Sequence, residues 1–283
     1  MLLYMTLNIE KVGKPLALIE GGPLKGKIIS ISSEVDDDNI TKNLGSEIEL
    51  PKESRFQQTI DPETERTIIY ITGPSGSGKS TYCRDYAKQY LKKYKDNPIY
   101  LFSAKNEDDK LDSLMPKLKR IKIDESLAND PAQAEEFKDS MVIFDDVDAL
   151  SDKKQRESVY KTLNQILELG RSMKIYCVMT NHLATSGNDT RRILNECHSI
   201  TYFPHSGSAV GVKRLLVEYV GLDKQTIKKL KNSKSRWATI FKNYPQIAMT
   251  ERNLFKVGED DESEKEDDAD LEGASKMIMK KKK

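Results

Sequence analysis

The sequence predicts an α/β protein in which a mostly parallel sheet carries helices on both faces. From Thr67 onward, short apolar runs alternate with segments of helical periodicity, which is the order of elements in βαβ units. Two of these runs, 141–144 and 175–179, are continuously apolar rather than alternating. Because strands that are covered on both faces have this composition, we expect both runs at the centre of the sheet.

The alternation assigns six strands and five helices to residues 64–257, the expected main domain. The predicted strands are 67–72, 99–103, 120–123, 141–145, 175–180 and 200–203. The predicted helices are 79–94, 131–139, 153–169, 190–197 and 212–220. Two further β-like runs, 235–241 and 246–250, flank a turn at Asn243-Tyr244-Pro245 and predict a C-terminal hairpin at the sheet edge.

Residues 1–63 form a separate, accessory part in this prediction. The runs 15–19 and 27–32 flank a turn that contains Gly21-Gly22-Pro23, which indicates a hairpin or a small β-element. The segment 36–65 is polar and poor in strand signals. We therefore expect it to connect the β-element to the main domain.

The composition is that of a soluble globular protein, with 37% hydrophobic and 32% charged residues. No run reaches the roughly 18 apolar residues of a membrane span, so no membrane segment is expected. The three cysteines, Cys83, Cys177 and Cys197, lack the paired spacing of a disulfide framework or a zinc site. An intracellular protein is expected.

The net charge of +1 conceals a difference between the body of the chain and its end. Of the 46 basic and 45 acidic residues, six lysines and ten acidic residues lie in 258–283, which leaves 40 basic and 35 acidic residues on 1–257. The C-terminal tail is acidic and poor in apolar residues, so it is predicted to be disordered. The mildly basic body is compatible with a polyanionic partner without establishing one.

The clearest motif is Gly-Pro-Ser-Gly-Ser-Gly-Lys-Ser at 73–80, which matches G-x-x-x-x-G-K-[ST] between a predicted strand and a predicted helix. Glycines let backbone N–H groups face phosphates, Lys79 reaches the β- and γ-phosphates, and Ser80 offers a hydroxyl to Mg²⁺. The motif predicts a P-loop NTPase of the RecA-like type that binds ATP and Mg²⁺. The predicted nucleotide-binding residues are Gly73, Pro74, Ser75, Gly76, Ser77, Gly78, Lys79, Ser80 and Thr81.

A second motif consists of the apolar run 141–144 followed by Asp145 and Asp146. Parallel sheets bind ligands at the carboxyl ends of their strands, so both carboxylates are expected beside the P-loop. There Asp145 would complete the magnesium site with Ser80, and Asp146 would orient the attacking water as general base. The predicted reaction is therefore hydrolysis of ATP at its terminal phosphate.

Two further candidates lie near the next predicted strand. Asn181, at the polar end of that strand, is predicted to contact the γ-phosphate or the attacking water. Arg171, between a long helix and the strand, is a candidate finger that enters a neighbouring subunit's site and neutralises transition-state charge. Arg191 and Arg192 compete with it for this role, and His182 is expected to pack or orient rather than catalyse.

Together these motifs resemble a known family. The combination of 73–80, 144–146, 170–171 and 180–182 with the arginine-containing helix at 190–197 and the runs 235–237 and 243–245 is similar to genome-packaging ATPases of large DNA viruses. These are the poxvirus-type members of the FtsK–HerA superfamily of DNA-pumping motors. The resemblance spans roughly residues 65–257 and leaves out the first 60 residues and the tail.

The resemblance implies an ATP-driven homo-oligomeric ring that moves double-stranded DNA, independently of its sequence, into a capsid. It also implies a capsid portal or vertex protein as a partner, and the host cytoplasm, viral factory or virion as the location. Carried over by position, it gives Lys79, Asp145, Asp146, Asn181 and Arg171 the roles stated above. The sequence departs from many motors of the superfamily at two positions, with Asp146 where they carry Glu and Asn181 where they carry Gln.

Two other classes of protein stay open. A nucleoside or nucleotide kinase is compatible with the P-loop, and Arg191-Arg192 would then belong to a lid over the phosphate acceptor. A nucleotide-gated structural protein with little turnover is the second alternative. An ABC-type ATPase is disfavoured because the sequence has no Leu-Ser-Gly-Gly-Gln signature.

Overall fold

The computed structural model of the protein describes residues 5–33, 44–64, 66–185 and 188–258. The tail predicted to be disordered lies, from residue 259 onward, outside the described residues. Among the described helices, none is long and apolar enough to cross a bilayer.

Fourteen strands build two sheets within the described residues. In chain order they are β1 Met5–Asn8, β2 Lys14–Glu20, β3 Ile28–Ser33, β4 Glu47–Glu49, β5 Arg55–Gln58, β6 Ile68–Thr72, β7 Ile99–Ser103, β8 Leu118–Ile121, β9 Met141–Asp145, β10 Tyr176–Asn181, β11 Ser199–Tyr202, β12 Ala238–Phe241, β13 Ile247–Thr250 and β14 Asn253–Lys256. The large sheet has ten strands in the order β4-β14-β13-β12-β11-β6-β10-β9-β7-β8. Its half from β11 to β8 is parallel throughout, as predicted.

Seven α-helices lie within the part of the chain that the structure describes. They are α1 Lys79–Lys93, α2 Asp109–Asp112, α3 Glu125–Asn129, α4 Lys153–Leu169, α5 Asn188–Glu196, α6 Ala209–Arg214 and α7 Lys224–Asn232. A π-helical turn, Leu215–Val220, continues α6. The predicted helix 212–220 is therefore divided between two helical geometries.

Helices cover both faces of the parallel half of the sheet. Successive residues of a strand point to opposite faces, so Ile69 of β6 packs with Tyr86 of α1, whereas Ile68 packs with the cluster that contains Val159 and Leu163 of α4. All five residues of β6 and all five of β9 are buried. This explains why the central strands are apolar without alternation.

Two predicted elements of the main domain were wrong. The strand predicted at 120–123 is Leu118–Ile121, because buried Leu118 pairs with Ile99 and so starts the strand two residues earlier. The helix predicted at 131–139 is only a 3₁₀ turn at Ala134–Phe137, and helix α3 lies before it. The side chain of Asp124 caps α3 by accepting hydrogen bonds from the backbone of Ser126 and Leu127.

The N-terminal residues form a four-stranded antiparallel sheet in the order β1-β3-β2-β5, which contains the predicted hairpin as β2 and β3. The expectation of a strand-poor connection at 36–65 was wrong, because β4 and β5 both lie in it. In β5 only Phe56 is apolar, while Gln57 and Gln58 are buried polar residues. Hydropathy therefore gives no strand signal there.

The predicted C-terminal hairpin is present as β12 and β13, and it extends the sheet beyond β11. A third strand, β14, was not predicted, and β4 pairs with it at the sheet edge. One face of this extension packs against the small sheet, since Ile247 and Met249 share a core with Leu16 and Phe56. This shared core holds the accessory sheet against the C-terminal extension of the large sheet.

The half-buried His198 makes stability depend on pH. Burial, reinforced by the charges of Lys14 and Arg66, lowers the pKa of His198 to about 4, against about 6.5 in an unfolded chain. In the folded chain His198 Nδ1 accepts a hydrogen bond from the Ile68 backbone at 3.0 Å, so that nitrogen carries no proton. Between these two pKa values the unfolded chain binds a proton that the folded chain does not, so stability falls as the pH falls through this window.

We expect His198→Asn, which keeps an acceptor for the Ile68 N–H, to remove this pH dependence. The wild-type protein should lose up to about 1.4 kcal/mol per pH unit from this residue within the window, and nothing from it above about pH 6.5. Urea unfolding at about pH 7 and about pH 5 measures the difference. The exposed His205 offers the control variant His205→Asn, and an equal loss of stability in both variants would contradict the assignment.

Candidate active site

The loop between β6 and α1 has the conformation that its glycines permit. Gly76 and Gly78 have φ angles of 77° and 114°, which lie in the region that favours glycine. A Cβ at Gly73 would lie 2.7 Å from both Phe203 Cδ2 and Ser77 Oγ, so this position has no room for a side chain. The loop therefore folds tightly at the start of α1, where backbone N–H groups are free of partners within the helix.

Lys79 lies under this loop with only 5% of its surface exposed. Its ammonium donates a hydrogen bond to the Gly73 carbonyl at 2.8 Å and lies 3.3 Å from Asp146 Oδ1. The structure thus brings together the two residues that the sequence predicted at the reacting phosphate. The contact joins the start of α1 to the carboxyl end of β9.

Asp145 and Asp146 share Thr180 as a partner. The Thr180 hydroxyl lies 2.8 Å from Asp145 Oδ1 and 3.3 Å from Asp146 Oδ1, and the Asp146 N–H donates to the Thr180 hydroxyl oxygen at 3.0 Å. Asp145 also accepts a hydrogen bond from Ser103 at 3.2 Å. Because these residues end the neighbouring strands β7, β9 and β10, the carboxyl edge of the sheet places both carboxylates at one point.

The two carboxylates differ in how easily they ionise. Burial, together with the neighbouring charge of Asp146, raises the pKa of Asp145. Burial also disfavours ionisation of Asp146, but the hydrogen bond from Lys105 and the charges of Lys79 and His182 outweigh it, so the pKa of Asp146 is lowered. Asp146 therefore ionises at a lower pH than Asp145.

Lys105 is a cation that the sequence analysis missed. Its ammonium lies 3.0 Å from Asp146 Oδ2, 4.0 Å from Asp145 Oδ2 and 3.9 Å from Asp108 Oδ2. Lys79 and Lys105 thus contact different oxygens of the same Asp146 carboxylate. Unlike Lys79, the Lys105 side chain is 45% exposed, so it has freedom to move when a phosphate competes for it.

Ser80 is placed through a second missed residue, Asp108, which accepts its hydroxyl hydrogen bond at 3.0 Å. A chain of contacts holds this loop: the Asp108 N–H donates to Asp112 at 2.8 Å, Asp112 accepts from Arg120 at 2.6 Å, and Arg120 donates to the Lys105 carbonyl at 2.8 Å. The segment between β7 and β8 is therefore fixed against the P-loop.

The oxygen donors at this point suit a magnesium ion. Ser80, Asp108 and Asp145 offer one hydroxyl and two carboxylates, and Mg²⁺ prefers oxygen ligands supplied by one or two carboxylates together with phosphates and water. The predicted pair of Ser80 and Asp145 belongs to this set. In the structure Lys105, near both Asp108 and Asp145, links the members of the set.

Asn181 lies fully buried at the end of β10, beside Thr72 at the end of β6. Neither its amide nitrogen nor its amide oxygen meets a hydrogen-bond partner of good geometry, and the Thr72 and Ser77 hydroxyls are in the same condition. Buried polar groups normally have partners. Asn181 and Thr72 at two strand ends, where the Tyr70 phenol lies close to both, and Ser77 in the P-loop therefore offer polar atoms to a ligand. This agrees with a phosphate-contacting position for Asn181.

His182 has an orienting position, as the sequence suggested. Its Nε2 lies 3.4 Å from Asp146 Oδ2, its Nδ1 lies 3.6 Å from Asp148 Oδ1, and its backbone N–H donates to Asp148 at 3.2 Å. Asp146, Asp148 and His182 offer ligand atoms within 4.8 Å of one another. The imidazole lies between the carboxylates of Asp146 and Asp148.

The arginines proposed as fingers lie away from this point within one chain. Arg171 is exposed in the turn between α4 and β10, at the amino edge of the sheet, opposite to the P-loop. Arg192 forms an ion pair with Glu168 at 2.7 Å, and Arg191 is exposed on α5. A contact of any of them with a P-loop would have to be made in a neighbouring subunit.

Comparison with known proteins places the chain in a family. An AAA-domain model matches residues 62–186, which include the P-loop and both aspartates. Protein V3 of the Sputnik virophage is 41% identical over 242 residues, which cover 84% of this chain and 94% of that protein. The chain belongs to the family of this virophage protein. With the AAA-domain match, the predicted P-loop ATPase is confirmed, and the chain binds ATP.

Three solved structures show similarity in fold to this chain. The genome packaging NTPase B204 of Sulfolobus turreted icosahedral virus 2, in complex with AMPPCP, has a TM-score of 0.43 at 13% identity and covers 66% of this chain and 99% of its own. The conjugation coupling protein TcpA of pCW3 has a TM-score of 0.49 at 13% identity, with 83% and 76% coverage. The EccC ATPase of Thermomonospora curvata has a TM-score of 0.48 at 13% identity, with 77% and 29% coverage.

The functional residues that sequence reasoning missed share one signal. Lys105, Asp108 and Arg120 all lie in or after the strands β7 and β8, whose carboxyl ends meet the same sheet edge as that of β9. Polar residues that follow each parallel strand could have been collected by this rule. The contacts of Lys105 with Asp146 and of Asp108 with Ser80 could not be predicted in this way, because they depend on the path of the loop after β7.

Proposed function

We propose that the protein is an ATP-driven motor that moves double-stranded DNA into a capsid, as a ring of identical subunits. The observation that carries the ATP-driven part is the 3.3 Å contact of Lys79 with Asp146 under the P-loop, at the carboxyl edge of a parallel sheet. The motor part is supported by the motifs beyond the P-loop, at 144–146, 170–171, 180–182, 235–237 and 243–245, and by the mildly basic body of the chain.

In this proposal the chain's own residues bind and orient the triphosphate. The N–H groups of the P-loop and the Lys79 ammonium hold the β- and γ-phosphates. When the triphosphate is bound, both lysines contact the γ-phosphate instead of the Asp146 carboxylate, from which Lys79 now lies 3.3 Å and Lys105 3.0 Å. Asn181, buried at the end of β10, contacts the γ-phosphate or the attacking water.

Asp146 then acts as the general base. While both lysines contact it, its lowered pKa makes it a weak base, so transfer of the lysines to the γ-phosphate frees a carboxylate oxygen for the water. Thr180 and His182 keep the carboxylate oriented during this change. Asp145, Ser80 and Asp108 would hold Mg²⁺. When bound, the ion neutralises charge that develops on the phosphate oxygens.

The test of the motor is ATP turnover by the full chain with and without long duplex DNA. We expect phosphate release to rise several-fold with DNA, because a motor couples hydrolysis to movement. ATP turnover that is unaffected by DNA, together with transfer of phosphate to an added nucleoside monophosphate, would indicate a kinase instead. Nucleotide binding with negligible turnover under all conditions would show a structural protein.

The grip on DNA is expected to be electrostatic and independent of sequence. Six to ten phosphate contacts would weaken binding by about 10³–10⁵-fold between about 50 and 200 mM salt. Binding of fluorescently labelled duplexes of two unrelated sequences measures this effect. A flat salt response, or a strong preference for one sequence, would count against the proposed mode of binding.

The finger is proposed to be Arg171 of a neighbouring subunit, because its position at the amino edge excludes a role in its own P-loop. Arg171→Ala and Asp146→Asn chains should each be inactive alone and regain some turnover when mixed, since mixed rings contain intact composite sites. The same experiment with Arg191→Ala is the matched comparison. Mixed rings that regain no turnover at any ratio would rule out Arg171 as a finger in trans.

A further inference from the structure

A cleft lies beside the P-loop on the side away from Asp146. One wall consists of Ser77, Gly78 and Thr81, and another includes Gln57 and Trp237. Its empty space, including the part open to solvent, is about 510 Å³. The cleft therefore joins the phosphate-binding loop to the accessory sheet and to the C-terminal extension.

The strand order shows on which side of the P-loop this cleft lies. Asp146 follows β9, which lies two strands to one side of β6, whereas Phe203 follows β11 and Trp237 precedes β12 on the other side of β6. A triphosphate whose terminal phosphate lies at Asp146 and which extends along the P-loop must leave the loop on the β11 side. We propose that this cleft binds the purine base of the nucleotide, an inference that rests on the proposed position of the γ-phosphate.

Trp237 supplies the stacking surface. Its half-buried ring packs edge-on against Tyr82, with ring centroids 5.1 Å apart and planes at 73°. Tyr82 is itself fixed by hydrogen bonds of its hydroxyl to Gln58 at 2.9 Å and Thr239 at 2.8 Å. A held indole ring offers a flat apolar face, and aromatic faces stack on bases of any sequence.

Gln57 supplies the polar contact. Its side chain is only 5% exposed and lines the cleft, and its amide hydrogen bond to the Gln58 carbonyl is long, at 3.4 Å. A carboxamide presents one donor and one acceptor, which match the N7 acceptor and N6 donor of adenine. Guanine presents two acceptors at this edge, so the cleft should prefer adenine.

The two arginines of the cleft do not offset this preference. Arginine is the side chain that pairs best with the guanine edge. Here, however, Arg55 is paired with Glu20 at 2.7 Å and Arg236 with Glu251 at 3.0 Å. Because each guanidinium group already has a carboxylate partner, neither is free to pair with a guanine edge.

The test compares affinities for ATP, GTP and inorganic tripolyphosphate by calorimetry on the full chain with Mg²⁺. Trp237→Ala should weaken ATP binding about 5- to 100-fold and leave tripolyphosphate binding unchanged, because only the base contact is lost. Gln57→Leu should reduce the preference for ATP over GTP. Tyr244→Ala, which removes an exposed aromatic side chain outside the cleft, is the matched control and should change neither affinity.

A second measurement uses the fact that Trp237 is the only tryptophan in the chain. Its fluorescence in the wild-type protein should change with ATP and stay constant with tripolyphosphate. Unchanged tripolyphosphate binding by Trp237→Ala also shows that this variant is folded. Equal loss of ATP and tripolyphosphate affinity in Trp237→Ala, or no fluorescence change with ATP, would overturn the proposal. Because both measurements report binding, a lack of ATP hydrolysis would count against the proposed function alone.

Discussion

Replacing Asp146 by asparagine is expected to lower ATP turnover about 10²–10⁴-fold, the usual contribution of a general base. The variant removes the charge that accepts a proton and keeps the size of the side chain. Asp146 has a φ of 50°, a conformation that asparagine tolerates, so the backbone should be unaffected. Thr180 keeps an oxygen partner. Lys79 loses its carboxylate partner but keeps its hydrogen bond to the Gly73 carbonyl at 2.8 Å.

Steady-state phosphate release and calorimetric ATP binding, measured on the same preparation, check this expectation. Binding of ATP should stay within a few-fold of wild type, or tighten, because a negative charge facing the triphosphate is gone. Asp139→Asn is the matched control, since Asp139 is exposed, has a similar φ of 53° and lies before β9, at the amino edge of the sheet. Turnover by Asp146→Asn within about tenfold of wild type would remove Asp146 from the role of base.

Replacing Lys79 by alanine is expected to reduce turnover at least about 10²–10³-fold and to weaken ATP binding as well. The ammonium is buried at the point where charge develops, and loss of one such group in a water-poor site has effects of this size. Asp146 retains Lys105 at 3.0 Å, so its carboxylate is not left without a cation and the fold should persist.

The effect of Lys79→Ala is measured as kcat and KM for ATP, with unfolding by urea as the check on stability. Lys88→Ala is the control, because Lys88 is an exposed lysine on the same helix. Loss of activity that tracks loss of stability in the two variants would indicate damage to the fold and contradict a direct role. Full activity of a folded Lys79→Ala protein would place the triphosphate elsewhere.

The centre of the fold could be predicted because its physics is local. The strands β6, β7 and β9 are short apolar runs bounded by polar turns, and the P-loop glycines have φ angles that few other residues adopt. Asp145 and Asp146 follow a buried strand, and parallel strands end at one edge, so their meeting with Lys79 follows from topology. The predicted helix 153–169 matches α4 at both ends, and Asp152 caps its first turn.

The parts that could not be predicted depend on contacts between distant segments. Strand β5 carries the buried Gln58, whose partners Ser199 and Tyr82 lie far along the chain. Lys105 follows β7 in an exposed loop that is held by Arg120, and nothing in its local sequence distinguishes it from other lysines. Arg171 has the right neighbours in sequence, yet α4 ends at the edge of the sheet opposite to the P-loop.

An experimental structure with a non-hydrolysable ATP analogue and Mg²⁺ would show whether the γ-phosphate lies between Lys79 and Asp146. We expect a γ-phosphate oxygen about 3 Å from the Lys79 ammonium. We also expect that Lys105 has moved from Asp146 to the phosphate and that Asp146 faces the space for a water molecule. A terminal phosphate far from both residues, with the contact of Lys79 and Asp146 unchanged, would show that ATP is not hydrolysed at this position.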